Sequence, residues 1–197
     1  QRVPKGFLAH HLIPVAPLNG QRRIVARIEG LFAELGAARR LHAALVHDEE
    51  RLMDAALMEA FEKRETWQTH KLGELVTIEA KQVDPTLPEY RDLPHINGSV
   101  IEPITGRLGE YQTAAEDGMT SAKYHFFPGA VLYSKIRPYL RKAATVDFEG
   151  VCSADMYPLR VETEILSRDF LKWTLLSHPF TEYASELSGR ARMPKLN

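Results

Sequence analysis

The sequence predicts a mixed α/β (α+β) chain, with one very long helix followed by a compact domain carrying a twisted mixed sheet and short helices. Two observations predict it. Residues 21–65 contain no proline and repeat their apolar side chains at helical spacing. From residue 66 onward, prolines and glycines become frequent and short apolar runs alternate with turn signals. The 197 residues, 44% hydrophobic and 26% charged, have an ordinary globular composition that accommodates one or two domains.

Three regions follow: 1–18, 19–65 and 66–197. In the first, Pro14 and Pro17 impose extended backbone, and Asn19 is expected to cap a helix beginning near Gly20. In the second, Ile24, Ile28, Leu31, Leu35, Ala38, Leu45 and Leu52 recur in steps that are sums of three and four, a heptad-like stripe. His42 and Glu49 fall on the seam and make it imperfect; Val25, Phe32, Leu41, Leu57 and Phe61 widen it. At about 1.5 Å per residue such a helix reaches roughly 65 Å, longer than an ordinary globular helix. Alone, its stripe stays exposed. It therefore calls for a second long helix, and no such run appears downstream.

In the third region, "AVLYSKI", "KAATV" and "MYPLRV" read as strands, and "TGRLGE" and "AEDGMT" as turns. "SRDFLKWTLLSHPF" reads as a helix capped by Ser167 and ending before Pro179.

The composition narrows the function. Cys152 is the single cysteine, so no intrachain disulfide forms and a reducing, cytoplasmic setting is expected. No apolar run is long enough for a bilayer, so no membrane partner is expected. The chain begins with Gln, not Met, which points to a piece of a longer protein. The eight histidines form no metal pattern with the lone cysteine: His10 and His11 diverge, and His42 and His47 are five apart on the helix. Glu79 and Lys81 in "IEAK" resemble the end of a nuclease signature but lack the further carboxylate that would hold a metal. There is no G-x-S-x-G elbow, Walker loop, G-x-G-x-x-G turn or Asn-Pro-Pro-aromatic run. No catalytic residue, metal or bound cofactor is expected of this chain.

One segment stands out. Met119 to Val146 holds five basic side chains and no acid, although the whole chain carries a formal charge of −1. Lys and Arg neutralise phosphates and release counterions, which nearby acids would oppose. Lys135, Arg137, Arg141 and Lys142, with Tyr139 between them, accordingly suggest a nucleic-acid face. "SGRARMPK" adds Arg190, Arg192 and Lys195.

These segments resemble a known family. "IPVAPLNGQRRIVARIEGLFAEL" is similar to the motif that opens the long helix of type I restriction–modification specificity subunits. "WQTHKLGELV", "YRDLPHINGSVIE", "TAAEDGMTSAKYHFFPGAVLYSKIRPYLRK", "CSADMYPLR" and "RARMPKLN" resemble, in order, one target recognition domain of that family. The resemblance implies the tail of a preceding domain (1–18), the first long helix (19–65) and a recognition domain (66–197). It implies a non-catalytic subunit that reads half of a bipartite double-stranded DNA target and docks methyltransferase subunits, with a restriction subunit in the full complex. S-adenosylmethionine, Mg and ATP would then sit on partner subunits. The missing second helix implies a homodimer through the stripe. Two alternatives share these features: the specificity portion of a single-chain restriction–methylation enzyme, and a coiled-coil interaction protein that does not bind DNA.

A segment shared across the family cannot account for different targets. Lys135, Arg137, Arg141 and Lys142 are therefore expected to position the DNA backbone. Sequence readout is expected from residues 97–100, 119–123 and 189–195, notably Asn97, Ser99, Thr120, Ser121 and Lys123.

Overall fold

The computed structural model describes residues 14–15, 17–62 and 67–188. Helix α1 spans Leu18–Ala60. The Pro17 carbonyl accepts from the Gln21 amide (3.0 Å), so the helix starts two residues before the expected start at Gly20 and Asn19 lies inside its first turn. Proline suits this place, because an N-terminal turn does not need its missing N–H. The chain divides into two compact units between Glu49 and Glu50, so α1 contributes to both.

In the first unit the stripe residues Ile24, Ile28, Leu31, Leu35 and Leu45 are exposed, as is Ala38. Leu52 of the second unit is exposed as well. Leu57 is the buried residue of α1.

The second unit continues with the short helix α2 (Leu72–Leu75) and strands β1 (Val76–Ile78), β2 (Gln82–Val83), β3 (His95–Ile96), β4 (Lys123–Phe126), β5 (Val131–Ser134), β6 (Ala143–Thr145), β7 (Gly150–Cys152) and β8 (Met156–Val161). Helices α3 (Arg168–Leu176) and α4 (His178–Leu187) close it. The expected sheet resolves into two four-stranded sheets, ordered β1-β8-β5-β6 and β2-β4-β7-β3. The first is antiparallel; in the second β3 runs parallel to β7.

Strand alternation builds the layers. Leu132 and Ala144 of the first sheet join Phe126, Ile96 and Cys152 of the second in a core between the sheets. Val131, Tyr133 and Ala143 point the other way and meet Leu171, Leu175 and Leu176 of α3. Val83 and Val151 face outward beneath the 84–119 connection, against Ala114. The Ser167 hydroxyl accepts from the Phe170 amide (3.1 Å) and caps α3 as the sequence suggests. Helix α3 ends at Leu176, before Pro179 as the sequence suggests. Pro179 itself sits in the first turn of a further helix, α4, where its fixed φ is tolerated.

Candidate nucleic-acid interface

Within the acid-free segment, residues 135–142 form the hairpin connection between β5 and β6. The strands pair Tyr133 with Ala143, and the Ser134 amide donates to the Lys142 carbonyl (3.0 Å), which closes the base of the loop. Inside it a 3-10 turn, Pro138–Leu140, is bracketed by Arg137 (φ 49°) and Arg141 (φ 50°), both left-handed. That conformation costs a non-glycine residue roughly 1–2 kcal/mol, so the surrounding packing must hold it. Pro138 is buried, while Arg137 and Tyr139 stand in solvent.

Three of the four cations assigned to phosphate contact turn inward, which corrects the expectation that the whole segment faces outward. Lys135 is buried with its ammonium 4.6 Å from the Tyr157 ring centroid and 5.5 Å from that of Tyr124. Such a face-on approach is attractive because the ring's negative face meets the cation. The buried Arg141 Nε donates to the Leu176 carbonyl (2.7 Å), and its Nη1 donates to the Asp54 carboxylate. Its Nη2 is enclosed without a partner. Lys142 donates to the Gly98 carbonyl, and burial pushes its amine below the ordinary lysine range. Arg137 is the exposed member of the four.

Lys142 brings a second loop against the first. Asn97 Oδ1 accepts from the Ser99 amide (2.8 Å) and the Ser99 hydroxyl, the local turn that Asn favours. The Val100 amide donates to the Asn97 carbonyl (3.3 Å). Together the loops line a concave pocket of about 370 Å³, with Asn97, Ser99, Ser134, Arg137, Lys142 and Asp155 at its wall beside the apolar Ile136, Leu140 and Met156. Asn97 and Ser99 also border a second depression whose wall carries Glu110, Glu116 and Asp117. The Asn97–Ser99 turn thus separates a basic tip from an acidic wall.

The other expected readers lie elsewhere. Thr120 and Ser121 are exposed but do not line the 370 Å³ pocket. Lys123 folds back, donating to the Ser121 carbonyl (2.8 Å) and hydroxyl (2.7 Å), and burial lowers its pKa. It is therefore an internal strut, not an outward cation. Arg190, Arg192 and Lys195 lie outside the described residues, as do His10 and His11.

Sequence reasoning missed Asp54 and Asp155. Asp54 was hidden by its distance along the chain, 87 residues from Arg141. A local count of acids cannot find such a partner. Of the Glu79–Lys81 pair, Glu79 Oε1 bonds Arg160 (3.1 Å). Among the described residues no group of three or more His, Cys, Asp or Glu could hold a metal ion. Also among them, no helix is long and apolar enough to cross a membrane.

No family model matches the chain. Among curated proteins it is 40% identical over 133 residues to the Escherichia coli type I restriction enzyme EcoDI specificity subunit. That match takes in 66% of this chain but 28% of the relative. A solved chain described under complex assembly and conformational transition of the type I R-M system superposes with a TM-score of 0.59 at 25% identity. It is matched over 99% of this chain and 48% of its own length. The HsdS subunit from Thermoanaerobacter tengcongensis gives a TM-score of 0.46, at 25% identity over 93% of this chain and 47% of that one. The chain is thus similar in sequence to a type I restriction enzyme specificity subunit and in fold to a chain of the type I R-M system, and it spans less than half the length of either.

Proposed function

We propose that this chain is the DNA-recognition piece of a type I restriction–modification specificity subunit, reading half of a bipartite double-stranded target. The observation that carries the reading is the 40% identity to a specificity subunit over 133 residues. The local chemistry supports it. Arg137 and Tyr139 form an exposed cationic and aromatic tip beside a pocket that Asn97 and Ser99 also line, a combination suited to phosphate contact next to base edges. Arg137 positions the backbone, and the Asn97–Ser99 turn reads sequence.

In the same reading α1 docks methyltransferase subunits and pairs its stripe with a second copy of this chain. The chain itself performs no chemistry. S-adenosylmethionine, Mg and ATP belong to the methyltransferase and restriction subunits, and the assembly works in the cytoplasm.

Titration of labelled duplex DNA with the chain at several salt concentrations tests the reading. Binding is expected, with affinity falling linearly in log–log form as salt rises. A flat response at micromolar protein would favour an interaction module that does not bind DNA.

A further inference from the structure

We propose that Arg141 and Lys142 are positioning residues that hold the reading edge in place, and not contacts to the DNA backbone. This rests on the DNA-recognition reading and assigns roles within it.

The accounting starts with Arg141. Its Nε is taken by the Leu176 carbonyl and its Nη1 by Asp54, and its Nη2 is enclosed. A guanidinium neutralises phosphate by directing N–H groups at it, and here none is directed outward. The backbone of Arg141 is equally engaged: its amide donates to the Pro138 carbonyl (2.9 Å) and its carbonyl accepts from the Ile104 amide (2.9 Å). Lys142 next to it ties the Gly98 carbonyl through its amine and β5 through its own carbonyl. Two consecutive residues therefore fasten the end of α1, the end of α3, the 104 turn and the 98 turn to one hairpin base.

The left-handed φ of Arg141 fits this role. It swings the side chain at the close of the 3-10 turn while Arg137, left-handed at the opening, remains exposed. One hairpin thus carries an outward cation and inward clamps. Loss of a clamp should blur which base edge the Asn97–Ser99 turn meets, whereas loss of a phosphate contact should weaken all sequences alike.

The test measures binding to an enriched duplex and its single-base variants across a salt series, for wild type, Lys142→Ala, Lys142→Arg, Asp54→Ala and Arg137→Ala. For Lys142→Ala and Asp54→Ala, discrimination between target and variants is expected to fall about tenfold with an unchanged salt slope. Lys142→Arg is expected to restore most of the discrimination. Arg137→Ala should lower the slope by about one and leave the discrimination intact. If Lys142→Ala instead lowers the slope by about one with discrimination intact, or moves neither, the proposal is overturned. Amide hydrogen exchange on the free protein gives a reading without DNA. Ser99 and Val100 should exchange faster in Lys142→Ala and not in Lys142→Arg; unchanged rates in both would overturn the clamp. If wild type binds no duplex, the DNA reading fails, and exchange alone decides the clamp.

Discussion

Arg137 is placed by backbone strain and freed by its neighbours' burial. Its left-handed φ would suit glycine, so the arginine is held there for its side chain at a conformational cost. Two substitutions separate the charge from the backbone. Arg137→Ala and Arg137→Gly should weaken DNA binding equally and lower the salt slope by about one. Gly should nonetheless leave the protein about 1 kcal/mol more stable than Ala, by chemical denaturation. Equal stabilities would contradict the strain. A change of target preference would contradict the backbone-positioning role.

Gly106 requires its glycine for another reason. At φ +65° an added Cβ would stand 2.0 Å from the Ala143 carbonyl oxygen, on the backbone of β6. Neither atom can give way, so Gly106→Ala is expected to cost about 3 kcal/mol or more by denaturant titration. A loss under about 1 kcal/mol would mean that the 103–107 turn is not pinned against the hairpin base.

At the level of elements, α1 presents an apolar stripe without enclosing it. Ile28, Leu31 and Leu45 lie 47%, 54% and 69% exposed, so replacing them removes little packing within one copy. Leu31→Lys together with Leu45→Lys should therefore turn a dimer into a monomer by light scattering and abolish the dependence of the melting temperature on protein concentration. A wild type that is monomeric at micromolar protein would refute pairing through this face. The long helix, three strands and one short helix could be read from the residues. The strands at "AVLYSKI", "KAATV" and "MYPLRV" appear as β5, β6 and β8, and Ser167 caps α3, because alternation and capping are local signals. Helix α4 was not legible, because Pro179 reads as a stop when a proline in a first turn is equally a start. The two-sheet division was hidden too, since pairing between β3 and β7 is decided across the chain.

For the whole molecule, the sequence marked residues of the candidate site but not how they are oriented. The basic segment stood out by residue type and the 97–100 turn was expected from the family resemblance, and the structure places both around one pocket. Which cations face outward was not legible. It depends on Asp54, Tyr124, Tyr157 and Leu176, which are contributed by other elements of the fold. Charge also sets the acid limit of the fold. Hydrogen bonds from the Thr86 and Thr113 amides and hydroxyls hold Asp84 and Glu116 below the usual carboxylate range. Bonds from Arg168 and Arg160 do the same for Asp147 and Glu162. Depressed carboxylates stabilise fully above their ordinary values, 3.8 for Asp and 4.5 for Glu, and lose that contribution as pH falls through the depressed ones. Melting temperature should therefore be flat from about pH 7 to 5 and fall below about pH 4. Glu162→Gln should make that fall shallower; an unchanged fall would contradict the linkage.

The most direct measurement is selection from a randomised duplex pool, with and without a methyltransferase subunit, followed by sequencing. The account predicts one enriched short motif, as a single copy or as two copies at fixed spacing, depending on whether the chain acts as a half or as a pair. Salt-sensitive binding with no enriched motif would contradict it, leaving a phosphate-binding surface that does not read sequence.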